Sequence, residues 1–297
     1  MTKQLTVLVI GATGQQGGAV ARQLLRRGHQ VRAFTRKRDS VSAQELKSLG
    51  AELAIGNIDD HNSVARAAEG VEAIYSMSTF FEAGIEAEVR QGKTVADAAK
   101  ATNVPHLVHS SVGGANQATG IPHFESKFQI EEHVKSLDIP YTIIAPVYFM
   151  ENAVGPWSLP GLVQGSLAMS LPANRRLQQI SVPDIAAFAT YVIENREKFL
   201  GKRFDIASDE LDGVQSAEII SRVTGRETTY FEVPLAKAYE MSEDVGKMYE
   251  WFDTVGYSAD IESLRRDYPE VGWQTFEEWA RTQDWSALQT SAETAAA

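Results

Sequence analysis

Gly11-Ala12-Thr13-Gly14-Gln15-Gln16-Gly17 directly follows an apolar run, Leu5–Ile10. Glycine at these three positions suits a loop that must turn sharply and admit a ligand close to its main chain. Gly11 permits the turn, Gly14 lets the backbone approach a pyrophosphate, and Gly17 lets the next helix pack tightly on the strand. The N-terminus of that helix then offers free N–H groups and a positive dipole end to phosphate. A plain strand–helix turn has no need of three glycines so spaced. The implied chemistry is dinucleotide binding. The end of the next strand selects the cofactor. Thr35 is followed by Arg36-Lys37-Arg38, and the first acid is Asp39. Sites for NAD place a carboxylate here for the ribose hydroxyls. A guanidinium instead suits the 2′-phosphate of NADP, to which it donates paired hydrogen bonds. The residues therefore predict NADP(H) over NAD(H), with Arg36 and Lys37 at the phosphate. The competing reading is a solvated basic turn.

The elements that must position this loop alternate along the first half. Strands are expected at Leu5–Ile10, Gln30–Thr35, Ala51–Ile55, Glu72–Met77, Pro105–Ser110 and Tyr141–Ala145. Helices are expected at 15–27, 41–49, 60–68, 82–101 and 124–137. Parallel strands need crossovers, and helices serve as crossovers, so this alternation predicts a doubly wound parallel α/β sheet of Rossmann type with helices on both faces. The nearly all-apolar strands agree with a sheet covered on both sides. After Asn152 the pattern loosens around Pro156, Pro160 and Gly161. A smaller α/β lobe for substrate or partner is expected over 153–290, with a strand at 166–171, a helix at 183–198, strand–helix–strand over 202–233 and one long helix over 235–255. The chain is left free to re-enter the sheet. Residues 1–152 would form the dinucleotide-binding domain, and 291–297, small and polar, a frayed tail.

These motifs resemble the NmrA-like family, an atypical branch of the short-chain dehydrogenase/reductase superfamily, and within it the NADPH-sensing redox sensor proteins. The carrying residues are the 11–18 loop, Val31–Arg36, Gly56-Asn57-Ile58-Asp59-Asp60, Glu88-Val89-Arg90-Gln91-Gly92-Lys93, His123-Phe124-Glu125-Ser126-Lys127 and Tyr148-Phe149-Met150-Glu151-Asn152. The resemblance implies that residues 11–16 cradle the pyrophosphate and that Arg36 and its neighbours hold the 2′-phosphate. It puts Asn57 and Ile58 beside the adenine, and Met77, Ser78 and Thr79 along the ribose. Arg90 stands at a position where the family often has lysine. Lys127 would reach the nicotinamide ribose, and Tyr148, Phe149 and Asn152 would flank the nicotinamide.

Short-chain reductases use a tyrosine four residues before a lysine, which puts both on one helical face and lets the lysine tune the phenol. None of the nine tyrosines has Lys at i+4; His123 stands there, with Lys127 one turn on. His123 follows Pro122 in a first helical turn, where the dipole disfavours imidazolium. In one reading Lys127 is a cofactor ligand and His123 a polar filler, and nothing is turned over. In the other, Lys127 or His123 donates a proton as hydride passes to a small electron-poor substrate: a quinone, imine or enone. The matching functions are an NADPH-dependent reductase and a non-catalytic NADPH/NADP+ sensor that regulates a protein partner. Ser110-Ser111 could bond a substrate carbonyl or cap backbone. Tyr148, Phe149 and Trp157 could wall an apolar pocket or simply pack, and Trp273, Trp279 and Trp285 are expected as packing anchors.

Bulk properties exclude other classes. The chain has 297 residues, a formal charge of −11 and no cysteine. Such a surface repels nucleic acid. Without cysteine there are no disulfides, thiolate metal sites or cysteine nucleophiles. His106 and His109, three apart in a strand, point to opposite faces, and no metal site is expected. No apolar run reaches membrane-spanning length, and the opening run is too short for a signal peptide. A cytosolic protein is expected, with oligomerisation left open.

Overall fold

The structure, a computed structural model, describes residues 3–288; the tail expected over 291–297 lies outside them. The chain divides into two compact units. One runs to Pro146 and resumes over Val182–Asp205; the other comprises Val147–Ser181 and the chain from Ile206 onward.

The first unit alternates β1 (Thr6–Val9), α1 (Gln15–Arg26), β2 (Gln30–Thr35), α2 (Val41–Ser48), β3 (Glu52–Ile55), α3 (His61–Ala68), β4 (Ala73–Met77), α4 (Ile85–Ala101), β5 (Leu107–Ser110), α5 (Pro122–Ser136) and β6 (Tyr141–Pro146). These six strands pair in parallel in the order β6-β5-β4-β1-β2-β3, and the strand Lys202–Ile206 adds a seventh beside β6. The architecture is the expected Rossmann-type sheet. Strand order reverses beside β1, which opens a crevice at the carboxyl ends of β1 and β4, where open α/β sheets bind ligands.

One face of the sheet is sealed by α3, α4 and α5. Leu8, Ile10, Ile74 and Leu107 from the strands meet Val64, Val95, Ile130 and Val134 from the helices. Close approach of α4 and α5 depends on Gly92, where a Cβ would fall 2.5 Å from Ile130 Cδ1. The helix Val182–Glu194 packs with α1. Glu194 takes the Arg27 guanidinium on both oxygens, at 3.0 and 2.9 Å, and His29 Nε2 at 3.0 Å. The strand Lys202–Ile206 is tied to α5 by Arg203, which meets the fully buried Glu131 at 2.9 Å and Asp205 at 2.7 Å. Residues 182–205 thus return to the first unit because an apolar helix and a buried ion cluster complete it.

The second unit holds a three-stranded sheet, Asp209–Leu211 beside Leu177–Ile180 beside Tyr148–Phe149, and a parallel pair, Ser166–Met169 with Thr229–Glu232. Its core gathers Met150, Leu162, Leu167, Ile220, Phe276, Trp279 and Trp285. The three tryptophans are the expected anchors. Their indole N–H groups donate to Glu151 Oε1 from Trp279 (2.9 Å), to the Ala280 carbonyl from Trp285 (2.8 Å) and to the Leu264 and Tyr268 carbonyls from Trp273. The long helix expected over 235–255 is instead two, Leu235–Met241 and Glu243–Thr254. Ser242 between them is extended, and its hydroxyl accepts the Val245 N–H. A serine followed by Glu243 and Asp244 is a start signal, and the capping bond overrides the helical pattern running through it. Among the described residues no helix is long and apolar enough to cross a membrane.

Candidate dinucleotide site

The glycine loop closes as its spacing requires. Gly11 has φ +71°, the left-handed region that favours glycine. A Cβ there would lie 2.5 Å from Met77 Sδ, so Met77 borders the loop from β4. The Gly14 N–H donates to the Gly11 carbonyl at 2.9 Å. At Gly17 a Cβ would fall 2.3 Å from that same carbonyl oxygen, so only glycine lets α1 sit so close to its own loop. Helix α1 starts at an extended Gly14 with no side-chain cap and no acid in its first turn. Its first N–H groups therefore face outward with the positive end of the helix unneutralised. Gly14 and Gln15 are exposed, Thr13 is half-buried, and Ala12 and Gln16 are buried beneath. This cradle fits a pyrophosphate.

At the end of β2, Thr35 Oγ1 accepts the Lys37 N–H and fixes the turn that exposes Arg36, Lys37 and Arg38. Arg36 Nη2 meets Glu82 Oε2 at 2.5 Å, with both side chains mostly exposed. Beyond β3, the exposed Asn57 is tied into its own loop: its N–H donates to Ser63 Oγ and its Oδ1 accepts the Asp59 N–H. Ile58 is half-buried against the core. Arg90 on α4 grips Asp59 through Nε and Nη2, at 3.1 and 3.0 Å.

Lys127 is held by polar contacts from two other elements. It lies one turn after His123 on α5, in the helix that Pro122 opens. Its Nζ lies 2.8 Å from Glu88 Oε1, donates to the Ser78 carbonyl and reaches Ser78 Oγ at 3.5 Å. Glu88 is completely buried, and its other oxygen accepts from Ser126 Oγ. The contact with Glu88 Oε1 is an ion pair and not a hydrogen bond, so the Ser78 carbonyl firmly commits one of the three ammonium protons. The others, one of them loosely held by the Ser78 hydroxyl, are those a ligand could take. His123 stacks on Phe80 with ring centroids 5.0 Å apart, and Phe80 lies 4.2 Å from Phe81, which makes an aromatic row beside the lysine. Thr79, half-buried, accepts the Phe81 N–H on its hydroxyl.

The strand-end residues are buried. Ser111 Oγ donates to Glu131 at 2.5 Å, a structural bond. His106 Nε2 lies 2.8 Å from Thr142 Oγ1, and His109 Nδ1 lies 3.4 Å from Ser76 Oγ. The Ser110 hydroxyl and the Tyr75 phenol are both buried, and burial raises the phenol above its ordinary value, with a hydrogen bond to Ser110 opposing the shift. Among the described residues no cluster of His, Asp or Glu could hold a metal.

Tyr148, Phe149 and Asn152 belong to the second unit. There Tyr148 lines a small pocket with Leu167, Met169, Leu177, Gln179 and Tyr230. Burial raises the Tyr148 phenol well above its ordinary value, with Tyr249 adding to the shift and a hydrogen bond with Asn152 opposing it. Trp157 does not line this pocket; it is 79% exposed. Sequence reasoning singled out neither Glu88 nor Glu82 for a role. Glu88 was visible only as one member of the 88–93 run, with nothing to say that its partner was Lys127.

The parallel seven-stranded sheet with a glycine cradle at its first crossover defines a Rossmann-type protein. More narrowly, the chain belongs to the NmrA-like family, whose profile matches residues 3–280. The resemblance carried by the glycine loop and the 123–127 run therefore holds. An NmrA-like family domain-containing oxidoreductase of Penicillium ochrochloron is 28% identical over 274 residues, covering 82% of each chain. In fold, the chain is similar to the negative transcriptional regulator NmrA solved with NADP (TM-score 0.78, 21% identity, 99% of this chain and 98% of that one). NmrA has also been solved with NAD. The fold is likewise similar to that of an NADPH-dependent quinone oxidoreductase of Escherichia coli solved with NADPH (TM-score 0.68, 23% identity, 98% of both chains).

Proposed function

We propose that this protein is an NADP(H)-dependent reductase of a small electron-poor substrate, a quinone, imine or enone, acting in the cytosol without nucleic acid. The observation that carries the reading is Lys127. Its ammonium is built into the same compact unit as the glycine cradle, against a fully buried carboxylate, with donor capacity left for a ligand. The named function of the Penicillium relative and the cofactor of the E. coli enzyme support it. When bound, the cofactor would supply hydride. The 11–17 loop would hold the pyrophosphate, Arg36 and Lys37 the 2′-phosphate, and Ser78 and Lys127 the nicotinamide ribose. Lys127 Nζ would hold the proton that the reduced substrate needs, with His123 the alternative donor.

The test is NADPH consumption against quinones, imines, enones and aldehydes. Turnover is expected with at least one class, and Lys127→Ala, verified as folded, is expected to lower it by about a hundredfold or more. Arg36→Gln is expected to weaken NADPH by about 1.5–3 kcal/mol, roughly ten- to a hundredfold, with NADH unchanged. Equal loss for both cofactors would sink the assignment of Arg36.

A second reading, a sensor of the NADPH/NADP+ ratio acting on a protein partner, is favoured by one observation. Phe81 is 78% exposed on the loop that Glu82 ties to Arg36. Tight NADPH binding without turnover would shift the weight to it. Partner capture indifferent to NADPH would count against it, because a switch requires a partner that discriminates the two states.

A further inference from the structure

The guanidinium at the end of β2 has an anionic partner of its own. Glu82 sits in the turn between β4 and α4. That turn is closed by its own backbone: the Gly84 N–H donates to the Phe80 carbonyl at 2.8 Å, and Gly84 takes φ +84°. Thr79 Oγ1 accepts the Phe81 N–H and steadies the turn from its start. The Glu82 carboxylate is presented from this turn to Arg36 at 2.5 Å. The contact is one guanidinium nitrogen to one carboxylate oxygen, on side chains 59% and 62% exposed. It therefore opens at little cost when a better anion arrives.

We propose that Glu82 is a specificity-determining residue, an internal counter-ion that competes with the 2′-phosphate for Arg36 and so narrows this protein's preference for NADP(H) over NAD(H). The inference rests on the reading of Arg36 as the 2′-phosphate ligand. A phosphate arriving at Arg36 must displace the Glu82 carboxylate and then lie near that displaced charge, and both effects oppose binding. A dinucleotide that ends there in a ribose hydroxyl brings no charge and leaves the pair intact. Glu82 thus taxes one cofactor and spares the other.

The experiment is titration calorimetry of the full chain with NADP+ and NAD+, on the native protein, Glu82→Gln, Glu82→Lys, Arg36→Gln and the Arg36→Gln/Glu82→Gln double variant. The pair is exposed, so these variants keep the fold. Glu82→Gln is expected to tighten NADP+ by about three- to fivefold with NAD+ unchanged, and Glu82→Lys to tighten it further. In the Arg36→Gln background the Glu82→Gln gain is expected to shrink to that of removing a nearby negative charge, and the difference measures the coupling. If Glu82→Gln leaves NADP+ binding unchanged while Arg36→Gln weakens it selectively, the competitor role is overturned and the reading of Arg36 stands. If Glu82→Gln tightens both dinucleotides alike, the role is also overturned, because Glu82 then acts on their common part. If Arg36→Gln weakens both alike, the reading of Arg36 falls and takes this inference with it.

Discussion

Glu88→Gln is expected to lower the stability of the first unit by about 3–5 kcal/mol, because it removes one partner of a buried ion pair and leaves the other charged. Glu88 is completely buried and the Lys127 side chain is only 12% exposed, so water cannot replace the lost carboxylate. The glutamine amide still presents an oxygen, but no charge, to the ammonium 2.8 Å away. It must also accept from Ser126, whose hydroxyl is buried against Glu88. One amide cannot serve both with the strength of a carboxylate. The thermal midpoint should fall by roughly 10 °C. Glu88→Leu combined with Lys127→Met is expected to recover most of the loss, since an apolar pair of similar volume carries no uncompensated charge. A double variant as unstable as Glu88→Gln alone would show that the pair is not the source of the effect. The functional arm separates positioning from packing. The double variant should be folded yet fail to turn over substrate, since the ammonium is gone.

The glycine cradle and the sheet were legible because their constraints are local. Gly17 is dictated by a close approach within one strand–loop–helix unit, Gly11 by its positive φ, and a short, mostly buried run suffices to find Gln30–Thr35. Partnerships across elements were not legible. Glu88 and Lys127 are 39 positions apart, Arg36 and Glu82 are 46 apart, and neither spacing has a periodicity to betray it. Short strands were missed for a different reason. Tyr148–Phe149 and Leu177–Ile180 are two and four residues long, too short to establish a period. The helix at Val182–Glu194 was anticipated, but its return to the first unit is written in Glu194 meeting Arg27 and His29, residues more than 160 positions earlier. His123 and Lys127 could be placed on one helical face from spacing alone. What holds the lysine could not.

Between pH 7.5 and pH 5 the protein is expected to lose about 4 kcal/mol of stability, most of it through two buried imidazoles. Burial pushes His109 down to about 3, and the nearby Lys127 charge adds to the shift. Burial pushes His106 down to about 4, with Arg196 assisting and Glu197 opposing. In the unfolded chain both rings take up a proton near pH 6.5. Below that pH the unfolded state therefore binds more protons than the folded one, and stability rises with pH across the window. The contribution is fully present above about pH 6.5 and is lost as pH falls from there toward 4 for His106 and 3 for His109. At pH 5 each ring costs about 2 kcal/mol relative to neutrality, and the window lies above the range where most carboxylates titrate. His109 is the harder of the two to charge, since its Nε2 has no hydrogen-bond partner and Nδ1 has only Ser76 at 3.4 Å. Chemical denaturation across pH 5–7.5 reads the slope directly. His106→Gln and His109→Gln are each expected to remove about half of it, whatever they do to stability at pH 7.5. A slope that survives both substitutions would mean that other groups produce it and that the two rings take up protons in the folded state much as they do in the unfolded chain.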